Sequence, residues 1–241
     1  MKYRFPIALL ALMCCLVQKV SAHESPRSRF GLSVAPISAS LRVVSDPWSG
    51  NGDRISWSFG VLGDMGLGPS GHWARGTGVR YTDIGGSLKV DANVDRGTGP
   101  TTVTGEVDLR MRYLEFPVTL TWRTTTAGPW DVYALGGASG AFHLRTRTDG
   151  FRSITEENGI ASTTTYDNTS LNVDVVLFKA SAVLGAGVEY ELASGAALFT
   201  GLRYSAALNN ALSKNASLYV TDSDKSKLYP DHVEITVGVY L

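Results

Sequence analysis

Cysteine is almost missing from this 241-residue chain, and the two that occur, Cys14 and Cys15, sit side by side near its start. No disulfide framework can brace the other residues. Histidine is scarce too, at four residues, and none falls in an HExxH or other metal-ligand spacing. A charge of one sign is lacking: 22 Lys and Arg balance 22 Asp and Glu without a basic cluster, which excludes nucleic acid as a partner. Long apolar runs are absent as well. The best, residues 7–17, is about half of the ~20 residues a membrane-spanning helix needs. The chain is instead rich in glycine, with 26, and has 10% aromatic residues and abundant Thr, Val and Ser, a composition that leans toward an all-β protein.

Lys2 and Arg4 precede the 7–17 stretch, and Val20-Ser21-Ala22 supplies the small residues a signal peptidase prefers. Residues 1–22 therefore read as a secretory signal peptide, leaving 23–241 as one domain. Both cysteines fall inside that leader. Met13 and Cys14, ahead of Cys15, are not the small residues of a lipoprotein site. Without Lys2, Arg4 and Lys19 the remainder carries 19 basic against 22 acidic residues.

Beyond the leader, eight segments alternate with the period of a strand: roughly 30–44, 55–66, 72–90, 107–123, 130–146, 174–191, 196–208 and 232–241. In the last, Val233, Ile235, Val237, Val239 and Leu241 share one parity and Glu234, Thr236, Gly238 and Tyr240 the other. Leu114, Phe116, Val118, Leu120 and Trp122 likewise oppose Tyr113, Glu115, Pro117, Thr119 and Thr121. The second face is glycine, serine, threonine and isolated charges, a poor soluble core but a suitable lining for a narrow barrel whose large apolar residues meet lipid. Lipid then requires the sheet to close.

Connection lengths give an independent sign. GLGPSG, TTTAGP and LASG are tight, whereas 45–54, 91–106, 147–173 and 209–231 are long. Strict alternation of short and long connections is the habit of an up-and-down transmembrane barrel, short turns periplasmic and long loops extracellular. Trp73, Trp122 and Trp130 flank the short turns, where an interfacial aromatic girdle belongs, and Trp57 lies near the opposite rim. The fold predicted is an eight-stranded antiparallel up-and-down transmembrane β-barrel.

The stretches RYLEFPVTLTWR (112–123), WDVYALGGASGAF (130–142), VLGAGVEYEL (183–192) and GLRYSAAL (201–208) resemble the outer-membrane β-barrel domain of the PorT-like family. Tyr113-Leu114-Glu115-Phe116-Pro117 is the most specific element. The resemblance implies a small porin-like protein of a Gram-negative outer membrane, with outer-membrane lipid, lipopolysaccharide and the barrel assembly machinery as its partners. Such barrels commonly end in an aromatic residue, and this chain ends Tyr240-Leu241, a departure that bears on recognition by that machinery.

Arg80, Glu115, Arg203 and Glu234 fall on the interior parity at similar depths, so the pairs Arg80–Glu115 and Arg203–Glu234 are expected along the lumen wall, linked into one network that plugs the bore or gates it. The histidines, His23, His72, His143 and His232, are scattered and read as surface residues. His143 is followed by Leu144-Arg145-Thr146 and so lacks the His-x-Ser pair of lipid A deacylases; no catalytic, cofactor or metal site is predicted. Gly76-Thr77-Gly78 and Gly185-Ala186-Gly187 open no helix, so they are not phosphate loops. The long segment 147–173 is expected to extend strands five and six, with a hairpin about Glu157-Asn158-Gly159, and offers Phe151, Ile154, Ile160 and Tyr166 as candidate contacts for an unidentified extracellular ligand. The function predicted is structural or surface-interacting, with a narrow ion or solute channel as the alternative. A soluble lipocalin-like carrier and a lipid-modifying enzyme stand behind these.

Overall fold

The computed structural model describes residues 28–44, 48–68, 70–95, 100–124, 128–157, 160–166, 169–170, 175–192, 195–213 and 227–241, with side chains outside 90–103 and 148–170. The predicted leader 1–22, His23 and residues 214–226 lie outside the described residues. Ten strands occur in chain order: β1 (Ser28–Val43), β2 (Trp48–Leu67), β3 (Trp73–Asp95), β4 (Pro100–Arg123), β5 (Trp130–Glu157), β6 (Ile160–Tyr166), β7 (Thr169–Ser170), β8 (Phe178–Glu191), β9 (Ala197–Ala207) and β10 (Leu228–Tyr240). Eight of them form a ring of antiparallel neighbours in the order β4-β3-β2-β1-β10-β9-β8-β5, and the β4–β5 pairing seals it. The barrel is closed, and every wall strand finds two partners for its backbone, as lipid demands.

The side-chain alternation carries through the lower wall, the half nearer both termini. Val118, Leu120 and Trp122 face out from β4, Leu198, Leu202 and Tyr204 from β9, and Val233, Ile235 and Val237 from β10. Glu115, Thr121, Arg203, Ser205, Glu234 and Thr236 are buried on the opposite parity. Trp73 and Trp122 are cross-strand partners, Trp130 packs on Tyr190 at 4.7 Å between ring centroids, and all three indoles point outward beside the short turns. They form the lower girdle; Trp57, also outward, marks the upper rim.

Near Arg112 the two faces exchange character. Below it β4 is apolar outside and polar inside; above it Arg112, Arg110, Asp108 and Glu106 face out while Met111, Leu109 and Val107 are buried within. β3 switches at the same height, from Tyr81 outside and Arg80 and Thr82 inside to Asp83 outside and Ile84 and Leu88 inside. Outward apolar residues on β4 run from Leu114 to Trp122, nine residues, which matches the ~9–11 a tilted strand needs to cross the hydrocarbon. The exchange is therefore the upper edge of the membrane, where water replaces lipid outside and the interior must become the dry side.

This corrects two expectations. The inside-out arrangement does not hold along the whole tube, because Ile37, Ala39, Leu41, Trp48, Ile84, Leu88, Val107, Leu109, Met111, Tyr113, Ala141 and Leu228 form an apolar core in the upper bore. Leu212, from the connection after β9, folds into it; Ala211 bonds Val176 and Leu228 through the backbone, and Asn210 Oδ1 accepts from the amides of Leu212 and Leu228 at 3.1 and 2.8 Å. The connection 91–106, moreover, is mostly wall, since β3 and β4 run 23 and 24 residues and absorb much of it, while 147–173 extends β5 into a hairpin with β6 as expected. Apolar-out alternation is the signal of a lipid boundary, so it gives way to apolar-in alternation where the strands leave the membrane, although the hydrogen-bonded ladder continues. The wall is tall along β2–β5 and short along β8–β10, at 14, 11 and 13 residues.

Candidate functional site

The bore is built in layers, and the four predicted interior charges make its middle one. Arg80 and Glu115 are cross-strand partners in β3 and β4, as are Arg203 and Glu234 in β9 and β10. The close ion pairs nevertheless run across the tube instead of along its wall. Arg80 places Nη1 2.7 Å from Glu234 Oε1 and donates from Nη2 to Oε2, also at 2.7 Å, while Arg203 Nη2 lies 2.6 Å from Glu115 Oε1. A longer contact, Arg203 Nη1 to Glu234 Oε1 at 3.5 Å, joins the two pairs. The reason is reach: inward side chains of adjacent strands stand side by side, and a guanidinium meets a carboxylate more nearly head-on from the opposite wall of a narrow bore. Ser58 accepts from Arg80 at 2.6 Å, and Thr82 donates to Glu115 at 3.3 Å. Arg80, Glu115 and Glu234 are each no more than 1% exposed, so all depend on these partners.

A second quartet closes the lower mouth. Arg29 contacts Asp64 and Glu189 at 2.9 and 3.0 Å, and Arg123 contacts the same two carboxylates at 2.7 and 3.0 Å. Two cations and two anions thus alternate around a square drawn from β1, β2, β4 and β8, with the Arg29 guanidinium 4.5 Å from the centre of the Tyr240 ring. Between the quartets lies a cavity of about 70 Å³, bounded by Arg80 and Arg203 above and Asp64, Arg123 and Glu189 below. Tyr133 projects over Gly187 and Gly201, which face each other on β8 and β9. A Cβ at Gly187 would lie 2.6 Å from the tyrosine ring, so the ring fits only because both positions lack a side chain.

Above the middle quartet, Lys179 and His232 are buried with Ser181 and Ser205, and the Lys179 ammonium stands 5.2 Å from the Tyr113 ring centre. His232, read as a surface residue, is 2% exposed. It shares the parity of Glu234, and that parity, not its nearness to a strand end, sets its direction. His143 is half-buried, edge-on to Tyr113, with Nε2 2.6 Å from Thr146 Oγ1; His72 holds the Arg123 carbonyl at 3.0 Å beside a short turn. Among the described residues no group of three or more His, Cys, Asp or Glu could hold a metal ion.

The candidate loop contacts fall in the hairpin made by the upper part of β5 and β6, where Phe151 is the partner of Tyr166, Ile154 of Thr163 and Glu157 of Ile160. Their side chains lie outside the described residues. Arg29, Asp64, Arg123, Glu189 and Lys179 were not singled out from sequence. For Glu189 the signal was present, since it shares the inward parity of Gly185 and Gly187; Arg123 and Arg29 stand at strand ends, where a charge reads as solvated.

A profile described as Outer membrane protein beta-barrel domain matches residues 24–213. No curated protein matches the sequence. Among solved structures, the chain is similar to the outer membrane protease OmpT of Escherichia coli, at 10% identity over 92% of this chain and 98% of that one, with a TM-score of 0.52. It also matches Neisserial surface protein A at 13% identity, 88% and 96% coverage and TM-score 0.43, and OprG of Pseudomonas aeruginosa at 13%, 92% and 98%, and 0.42. At such identities the likeness concerns fold alone. With the closed ring, the outward apolar band and a matched profile spanning most of its length, the chain belongs to the outer membrane β-barrel domain family and resides in the outer membrane.

Proposed function

We propose that the protein is a non-conducting, non-catalytic barrel that works through the wall it raises above the membrane. The observation that carries this reading is the filled bore: a charge quartet at the lower mouth, a second at mid-height, and an apolar core above them that Leu212 helps to close. Ions meet no continuous wet path, whereas β3, β4 and β5 continue well past the hydrocarbon and β5 turns back into a hairpin with β6. The useful surface is then outside, on the tall side of the barrel. Planar-bilayer recording tests the first half of the proposal: no reproducible openings are expected, and a stable unitary conductance would favour a channel. Cells displaying the chain with and without residues 148–166 test the second, through their attachment to protein-coated surfaces; equal attachment would remove the surface role. Release of fatty acid from lipopolysaccharide by the purified protein would overturn the non-catalytic part.

A further inference from the structure

The filling of the bore contains a charge that its own residues do not balance. Arg80 and Arg203 are matched by Glu234 and Glu115, but Lys179, 1% exposed, brings a third cation to the same interior. Its ammonium has no hydrogen-bond partner among the described residues. The acids around it are committed elsewhere. Glu115 receives Arg203 and Thr82, Glu234 receives Arg80, and Asp231 lies 2.9 Å from Arg42 Nε while accepting from the Ala207 amide at 2.7 Å. The Tyr113 ring, centred 5.2 Å from the ammonium, offers a weakly negative face and no full counter-charge. A buried ion left without a counter-charge is strongly destabilising.

The side chains beside it are orphaned in the same way. Lys179 and Ser181 are successive inward residues of β8; Ser181 stands directly opposite Ser139 on β5 and diagonal to Ser205 on β9, and Ser205 stands directly opposite His232 on β10. The hydroxyls of Ser139, Ser181 and Ser205 and both ring nitrogens of His232 lack hydrogen-bond partners among the described residues, though each residue is at most 4% exposed. Directly opposed residues hold their Cβ atoms roughly 4.5–5.5 Å apart, so the row is one polar patch across four strands. Ala141 and Ala207, the partners of Lys179 and Ser181, add little bulk to that wall. Buried polar atoms in such number are normally satisfied by a bound water or ion. Water would serve the hydroxyls and leave the surplus charge in place, while a divalent anion would over-correct it. An ammonium, rotatable hydroxyls and an imidazole N–H are all donors, which suits a spherical anion that accepts from any direction. We propose that Lys179, Ser181, Ser205 and His232 hold one small monovalent anion of the halide class, chloride, inside the bore.

Equilibrium urea unfolding in phospholipid vesicles tests it, with chloride replaced stepwise by gluconate, an anion too large for the site, at constant ionic strength. Each tenfold rise in chloride should lower the unfolding equilibrium constant of the wild-type chain by about tenfold once the site is saturated. Lys179→Met keeps the length of the side chain and removes its charge, and should abolish that response. Heat-modifiable electrophoretic migration reports whether the variant is folded. Crystals of wild-type protein refolded in bromide supply a second measurement that needs no variant: an anomalous peak is expected within contact distance of Lys179 Nζ. Neither readout depends on conductance or attachment. Wild-type stability that is indifferent to chloride overturns the proposal. So does an equal chloride response in the folded Lys179→Met variant, which would place the anion on the outer surface, and so does ordered water without a bromide signal beside Lys179.

Discussion

Replacing Glu234 with Gln keeps the shape of the side chain and removes its charge, which tests whether the bore is braced across its diameter. Glu234 faces both prongs of Arg80 at 2.7 Å, and Arg80 is 1% exposed, so the substitution leaves a buried guanidinium opposite an amide carbonyl and Ser58, with no carboxylate to balance its charge at that contact. Breaking one side of a buried ion pair costs about 3–5 kcal/mol. Glu115→Gln should cost less, about 1.5–3 kcal/mol, because Arg203 keeps its 3.5 Å contact with Glu234. Replacing both Arg80 and Glu234 by Met should recover most of the loss, since no unpaired charge then remains. Urea unfolding in phospholipid vesicles, followed by tryptophan emission, gives each value; Trp57, Trp73, Trp122 and Trp130 all face outward and report transfer from lipid to water. A double-mutant cycle supplies the decisive comparison. The Arg80–Glu234 coupling should be at least twice that of Arg80–Glu115, the pair adjacent in the wall. A larger coupling for the adjacent pair would refute the cross-bore geometry.

The packing sets two further outcomes. Gly201→Ala, whose Cβ would meet the Tyr133 hydroxyl before any other atom, should destabilise the barrel by about 1–3 kcal/mol, and Tyr133→Ala in the same chain should relieve part of that loss; additive effects in the same urea titration would show that the contact does not limit packing. Leu184→Arg places a charge near the middle of β8 on the lipid face, where the side chain is 64% exposed, and should cost about 2–4 kcal/mol in vesicles, against near zero if that face met water.

The wall within the membrane was legible because lipid and lumen impose opposite chemistry on alternate residues. Val233 to Leu241 and Leu114 to Trp122 announce their direction without help from neighbours, and the closed ring is their consequence. The register was legible far enough to set Arg80 beside Glu115 and Arg203 beside Glu234, yet the ion pairs depend on the width of the tube, which no single strand encodes. The lower quartet escaped notice because Arg29, Asp64, Arg123 and Glu189 come from four strands, with no two of them close in the chain. The upper wall was legible only in part. The fourth segment reached residue 107, but Met111, Leu109 and Val107 carry the apolar parity reversed, and that reversal, like the continuation of β3 and β4 through most of 91–106, has no counterpart in the membrane-facing pattern below.

That inversion gives the part above the bilayer its own filling, as a water-soluble barrel has. Its rigidity is then independent of the lipid around its base. Under the proposed surface role, the β5–β6 hairpin would meet a target from a pedestal at a fixed height from the cell, and not from a tether that the target must first straighten.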